Sequence, residues 1–362
     1  MVKIEDNMNL LDNKLYMEDI KKLVDEHLPF AKLQNSSILV TGASGLIGSF
    51  FIDVIMYLNI TNKLNCHVYA MGINEKRKER FKSYLDNNLF TYLIHDVNDK
   101  MDFDFSFDYI VHLASNTHPV LYATHPISTI TTNIIGTKNL LDYAASFNCK
   151  RFVFASSNEI YGENKGDVEL FDENYLGYIN SNTLRAGYPE SKRCGEALCQ
   201  AYREEKKLDI VIARFTRTYG PTMLTNDSKA ISQFLMKAVN GEDIVLKSEG
   251  KQYYSFTYVY DAVYGLFTIL LNGLDGEAYN ISNINSDITL HDLAELIASI
   301  VNRKVIYEIP NEIESKGFSK ATKARLDNTK IQQIGFVPKY SIRDGLKRTI
   351  SILKEINERN DG

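Results

Sequence analysis

Tyr188 and Lys192 stand four residues apart in Ala186-Gly187-Tyr188-Pro189-Glu190-Ser191-Lys192-Arg193. On a helix, that spacing puts both side chains on one face about one turn apart. An ammonium so placed lowers a phenol pKa from its reference of about 10, which makes Tyr188 a general base near neutrality. Upstream, Ser157 in Ala155-Ser156-Ser157-Asn158-Glu159 offers a hydroxyl to hold the substrate oxygen whose proton leaves. Such a trio needs a hydride acceptor. A bare YxxxK is a common chance match, so its meaning rests on the elements that position it.

Those elements read as alternating strands and helices. Ser37-Ile38-Leu39-Val40-Thr41 is a short apolar run of buried-strand type. Gly42-Ala43-Ser44-Gly45-Leu46-Ile47-Gly48 follows, then an apolar helix through Phe51, Val54 and Ile55. Strand, glycine-rich turn and helix are the context of a dinucleotide fingerprint, whose glycines let the backbone approach a pyrophosphate on the helix N-terminus. The next strand, 67–71, should end in an acidic residue to grip the adenosine ribose of NAD. Gly72 stands there, with Asn74, Lys76, Arg77 and Lys78 after it, a pattern that leans toward tolerance of a 2′-phosphate and leaves NAD and NADP both open. A third strand, 91–95, leads to Asp96, placed to meet an adenine edge or else simply to cap the strand. The fourth, from Asp108 into Ser115, carries His112, read as a core histidine rather than a catalyst. A helix over about 126–147 precedes strand five, 151–155. That strand delivers Ser157 and Glu159 at its carboxyl end, where open α/β sheets place their sites. The Tyr188 helix and strand six, 209–213, complete the alternation. The pattern predicts an α/β fold with a doubly wound, mostly parallel sheet of the Rossmann type.

At 362 residues the chain has room for a second lobe. We divide it into an N-terminal helical appendage (1–35), a dinucleotide-binding domain (36–217) and a smaller α+β substrate lobe (218–362) interleaved with the end of that domain. Ile20, Leu23, Val24 and Leu28 give the appendage helical spacing. It packs on the domain or on a partner subunit, the alternative being a lid or a targeting element. The lobe reads as a helix near 231–239, strands at 244–246 and 253–259, helices near 290–302 and 342–357, and a short strand at 304–308. Hydrophobic residues make up 44% and charged residues 24%, as in a globular protein, and a net charge of −5 gives no reason to expect a nucleic-acid partner. No apolar run approaches the roughly 20 residues that span a bilayer, so no membrane partner is expected. The N-terminus lacks the apolar core of a secretory signal. Cys66, Cys149, Cys194 and Cys199 show no metal spacing, so we expect reduced thiols, no metal and a cytoplasmic location.

VTGASGLIG (40–48), DYIVHLAS (108–115), SSNEIYG (156–162), YPESK (188–192), RTYGP (217–221) and the tail RLDNTK-IQQIGFVP (325–338) occur in the order and spacing of the extended short-chain dehydrogenase/reductases. Over about 36–355 the chain resembles the NAD-dependent nucleotide-sugar epimerases and dehydratases of that family. It looks most like the UDP-glucuronate decarboxylases, through 122–127, 132–137, 175–180, Arg185-Ala186 and Asn226-Asp227 with Ser232 and Phe234. The resemblance implies that Tyr188 takes the sugar C4 hydroxyl proton, Lys192 holds the nicotinamide ribose, and Ser157 hydrogen-bonds the C4 oxygen. The sugar becomes a 4-ketone while hydride passes to the nicotinamide. It also implies cofactor contacts from Gly42, Ser44, Gly45, Leu46, Ile47, Gly48, Asn74, Asp96, Val97, Leu113, Ala114, Ser115 and Asn133. Substrate contacts would come from Tyr122, Asn158, Arg185, Arg217, Lys229, Tyr254 and Arg325. Family members commonly form homodimers through the Tyr188 helix and its neighbour, and they often serve polysaccharide or glycoconjugate precursor synthesis.

Three departures bear on the reaction. Where dehydratases carry Thr-Asp-Glu, this chain has Ser157-Asn158-Glu159, and an amide is a poor proton donor to a departing hydroxyl. Glu159 is a C5 proton shuttle, a partner for a polar sugar substituent, or a buried hydrogen-bonded carboxylate. Tyr254 stands where decarboxylases and many epimerases carry an arginine, and Arg217 stands where the family usually has asparagine. We expect Arg217 to supply the phosphate-binding cation that Tyr254 cannot. The reading is a nucleotide-sugar epimerase that works by transient C4 oxidation, because this outcome requires only Ser157, Tyr188, Lys192 and room for the ring to turn. Alternatives are a UDP-glucuronate-decarboxylase-like lyase, an epimerase at C3 or C5 using Glu159 and, from another class, a non-catalytic dinucleotide sensor.

Overall fold

A parallel sheet carries the site, built from strands that are apolar on both faces because helices cover both. The computed structural model describes residues 10–117, 119–224, 227–310 and 322–360. Asn226 and the first nine residues of the N-terminal segment lie outside this range. The strands of the large sheet are β1 (Ser37–Thr41), β2 (His67–Gly72), β3 (Phe90–Ile94), β4 (Tyr109–His112), β5 (Arg151–Ser157), β6 (Ile210–Phe215) and, from the lobe, β10 (Ala278–Ile281). Their order is β10-β6-β5-β4-β1-β2-β3, and every neighbouring pair is parallel. Chain order therefore reverses beside β1, and the crevice beyond the carboxyl ends of β1 and β4 is the switch point where such sheets bind ligands.

Side-chain alternation builds two cores. Ile38, Val40, Val111, Val153 and Val211 face one side, toward α2 (Leu46–Thr61) and α8 (Val259–Asn272). Leu39, Ile110, Phe152, Phe154 and Ile212 face the other, toward α5 (Thr137–Ser146) and α6 (Gly187–Lys206). The helix expected over 126–147 is one rod in three pieces: α4 (Pro126–Thr131), a π-helical turn (Thr132–Gly136) and α5. π turns of this kind gather at functional sites, and this one carries Asn133.

In the lobe, β9 (Tyr253–Tyr258) is central. It pairs antiparallel with β11 (Asp287–Thr289) and parallel with both β13 (Lys323–Ala324) and β7 (Arg217–Tyr219). β8 (Ile244–Leu246) and β12 (Val305–Tyr307) form a separate parallel pair.

The N-terminal segment packs on the rest of the same chain. α1 (Lys14–Val24) starts at Asn13, whose side-chain oxygen caps the Tyr16 N–H at 3.0 Å. Its buried Tyr16 donates to Asp53 on α2, which also accepts from Arg80 at 2.5 Å and from Tyr84 at 3.0 Å. One turn later Asp19 accepts from Tyr258 at 2.7 Å and Tyr340 at 2.6 Å, and pairs with Arg348 at 2.9 Å.

Candidate active site

A cavity of about 730 Å³ opens over the carboxyl ends of β1, β4 and β5 and runs into the lobe. It brings together Tyr188, Lys192, Ser157, Asn158 and Glu159 with Tyr122, Arg185, Arg217, Lys229 and Tyr254. Ser157 ends β5 and caps the following turn, accepting the Glu159 N–H at 3.2 Å. Tyr188 and Lys192 lie in the first two turns of α6 and are almost wholly buried. Lys192 Nζ donates to the Ala155 carbonyl at 2.8 Å and stands 5.9 Å from the Tyr188 ring centroid.

The activation expected from Lys192 is not what the chain alone delivers. Burial pushes the Tyr188 phenol up to about 12, against hydrogen bonding with the Ser157 hydroxyl, which pulls it down; Glu159 adds to the rise, and Arg185 and Tyr122 oppose it. Burial likewise takes the Lys192 ammonium down to about 7, so near neutrality it carries only part of its charge. The spacing predicted the proximity correctly, but desolvation outweighs a partly charged ammonium. His112 is a core residue, bonded to Thr41 at 2.8 Å and Thr137 at 3.1 Å, and burial drives its pKa down to about 3.

From the base, a wall of stacked groups leads into the lobe. The Tyr188 ring stacks on Tyr122 with centroids 4.8 Å apart, and the Arg185 guanidinium lies 4.7 Å over Tyr122. Arg185 donates to Glu159 at 2.7 Å, and Arg217 approaches the same carboxylate from the other side at 3.9 Å. Arg217 lies on the Tyr254 ring, 3.4 Å from its centroid. The register of β7 on β9 explains this: Arg217 pairs with Phe256, which makes Tyr254 its same-face diagonal neighbour. Arg217 is thus turned toward Glu159 and the catalytic segment. Among the described residues, Arg185 Nε and Nη1 and Arg217 Nη1 are buried without a hydrogen-bond partner. Buried donors are normally satisfied, so three orphans on two neighbouring guanidiniums mark a place for an acceptor that the chain does not supply.

The other end of the cavity fits a dinucleotide. Gly42 has a φ of +63°, and a Cβ on it would come 2.8 Å from Ala114 N, so only glycine lets the turn lie against β4. Gly45 caps α2, and Leu46, Ile47 and Gly48 in its first turn line the cavity with Ser44, Asp96, Val97, Leu113, Ala114 and Ser115. First-turn N–H groups there are ready donors to a pyrophosphate.

Three expected contacts fall elsewhere. Asn133 is wholly buried behind the wall, donating to Ser191 at 2.9 Å and accepting from Ser115 at 2.8 Å, so it positions lining residues rather than lining the cavity. Asn74 points away, capping the following 3-10 helix through the Arg77 N–H at 3.2 Å. Arg325 is committed to Asp287 at 2.7 Å, with its guanidinium 4.6 Å over Tyr253, because β13 pairs at the outer end of β9. Lys229 lines the cavity but is already paired with Asp227 at 2.8 Å. Conversely, Gln252, Lys247 and His95 line the cavity and were not singled out. Their chain positions, beside a strand of the lobe or at a strand end, hold no motif that would announce them.

The sequence profile of the NAD dependent epimerase/dehydratase family matches residues 38–282. The chain belongs to that family. It is therefore an enzyme with a nicotinamide dinucleotide cofactor, which sets aside the sensor reading. It is 33% identical to UDP-glucuronic acid decarboxylase 3 of Arabidopsis thaliana over 312 residues, covering 86% of this chain and 87% of that protein. UDP-glucuronic acid decarboxylase 1 of Danio rerio is 31% identical over 316 residues, covering 86% and 71%. Among solved structures, UDP-glucose 4-epimerase of Thermotoga maritima is similar with a TM-score of 0.75 at 25% identity, covering 88% of this chain and 99% of that one. UDP-glucuronic acid 4-epimerase of Bacillus cereus shares the fold, with a TM-score of 0.75 at 22% identity and coverage of 88% and 99%.

Proposed function

We propose that this chain is a nucleotide-sugar 4-epimerase whose sugar carries an acidic substituent, acting by transient oxidation at C4. The observation that carries the reading is the pair of guanidiniums beside Glu159. Two positive charges against one carboxylate leave one in excess, and three buried N–H donors lack an acceptor. A carboxylate on the sugar, one position from the oxygen held by Ser157, matches both the charge and the donors. Bound oxidised nicotinamide supplies the hydride acceptor. Tyr188 takes the C4 hydroxyl proton and later returns it, while Ser157 holds the oxygen as it passes between alcohol and ketone. Asn158, an amide, has no proton to give a departing hydroxyl, which argues against dehydration.

A second reading, decarboxylation, draws support from relatives of that name at 31–33% identity. The arginines weigh against it. Loss of carbon dioxide moves the carboxylate's electron pair into the ring ketone, and cations at the carboxylate favour keeping the charge where it is.

In the same reading the chain is a cytoplasmic homodimer serving glycoconjugate precursor synthesis. Four free thiols suit a reducing compartment, and Ile127 and Ile135 stand 77% and 44% exposed beside α6.

The test is mass spectrometry of products formed in deuterated water from UDP-glucuronate, UDP-glucose and other base–sugar pairs. We expect a product of unchanged mass and new retention time from an acidic sugar, with UDP-glucose processed at least about tenfold less efficiently. Loss of carbon dioxide with one deuterium gained would establish the lyase instead. Equal turnover of neutral sugars would remove the role given to the arginine pair.

A further inference from the structure

We propose that the adenosine end of the dinucleotide site is built to take a 2′-phosphate, so that the chain binds NADP at least as tightly as NAD. The inference rests on reading this cavity as a dinucleotide site, and it concerns which dinucleotide the chain selects.

In sheets of this topology the ribose 2′-hydroxyl is held by a carboxylate at the carboxyl end of β2, where this chain has Gly72. Any side chain at this position would meet the end of Tyr92. A Cβ on Gly72 would lie 2.2 Å from the Tyr92 hydroxyl and 3.1 Å from its Cζ. That hydroxyl is fixed by donating to the Asn74 carbonyl at 3.0 Å, and Asn74 itself is used as a helix cap. Neither Gly72 nor Asn74 therefore offers a carboxylate to a ribose hydroxyl.

A cation stands in the same wall. Arg77 lines the cavity beside Gly72 and Ile73, and among the described residues no carboxylate lies within ion-pair distance of it. The nearby carboxylates are engaged: Glu75 with Lys78 at 3.0 Å, and Asp96 with the backbone and side-chain nitrogens of Asn98, each at 2.9 Å. Residues 75–80 carry four cations against two carboxylates. The segment is also held in place, because Arg80, one turn beyond Arg77, is tied to the buried Asp53. A guanidinium on an anchored segment, lining a cavity wall where glycine stands in place of the ribose-binding carboxylate, suits a phosphate monoester.

The experiment is calorimetric titration of the full chain, after exchange of any retained dinucleotide, with 5′-AMP and with adenosine 2′,5′-bisphosphate at low ionic strength. The bisphosphate should bind at least about tenfold more tightly, and added salt should shrink that advantage. Arg77→Ala should abolish the difference while leaving 5′-AMP within about twofold, and Arg77→Lys should keep part of it. Equal affinity for the two probes, or an Arg77→Ala loss shared by both, overturns the proposal while leaving the dinucleotide reading intact. If neither probe binds, the dinucleotide reading fails and takes the proposal with it. Mass spectrometry of the nucleotide released on denaturing the freshly purified protein gives a second readout: NADP is expected, and NAD alone counts against the proposal.

Discussion

Two sets of buried arginines and carboxylates are finished in different ways. Around α1, each oxygen of Asp53 and of Asp19 accepts from a tyrosine hydroxyl, and Arg80 and Arg348 complete the two groups. Around Glu159, Arg185 and Arg217 converge on a single carboxylate and keep three buried N–H donors unmatched. Composition does not separate the sets, since both combine arginine, carboxylate and tyrosine. The difference lies in completeness. A closed set of hydrogen bonds serves stability and specificity, whereas an open one costs free energy until something else supplies the acceptors.

That contrast can be broken in order of expected effect. Tyr188→Phe, which removes the proton acceptor at the open site, should lower kcat by about 10²- to 10⁴-fold with the fold unchanged, as steady-state kinetics and thermal melting will show. Arg80→Ala at the closed site should do the reverse. It leaves Asp53 buried without its cation, so stability should fall by about 3–5 kcal/mol in denaturant titrations, with kcat at saturating cofactor unaltered. A loss below about 1 kcal/mol would show that the closed set is ornamental. Arg217→Asn should cost less than about 1 kcal/mol of stability, because an unmatched donor goes with it. The same change should raise KM for an acidic nucleotide sugar about tenfold or more and leave a neutral one unmoved. Unchanged KM for both would place the guanidinium outside substrate recognition.

The smallest effect concerns a carboxyl held by backbone rather than by arginine. Asp261 accepts the Lys339 and Tyr340 N–H groups at 2.7 and 3.1 Å, and burial lifts its pKa from 3.8 to about 7. Between those values the folded chain keeps a proton that the unfolded chain has released. Its contribution therefore makes stability fall as pH rises from about 4 to about 7 and level off above. Asp261→Asn should flatten that fall, leaving the same-signed slope from Asp19 and Asp287, whose carboxyls burial also raises. An unaltered slope would mean that Asp261 titrates normally.

What could be read from the chain follows from how local each signal is. β1, β4, β5 and β6 announce themselves as apolar runs bounded by turns, and the glycine turn sits between a strand and a helix that both have the right period. Tyr188, Lys192 and Ser157 were legible because helix spacing and strand ends are local properties. β7, β11 and β13, only two or three residues each, exist because β9 is there to pair with, and nothing in their own residues says so. The Arg217–Tyr254 stack depends on that same register, so the sequence suggested a substitution but not the direction in which the guanidinium points. Asn133, Asn74 and Arg325 were misplaced for a related reason. Chain position fixes the element a side chain belongs to, but its partners decide whether it meets the cavity. The π turn and the 3-10 helix at 75–84 arise from shifts of hydrogen-bond partner that leave no composition signal.

The strap formed by α1 has a mechanical consequence. Tyr16 is fastened to a helix of the nucleotide half and Asp19 to Tyr258, Tyr340 and Arg348 beyond it, within a single turn of one helix. A hinge between the halves would have to tear out one of these two buried anchors. Wide clamshell opening is therefore costly.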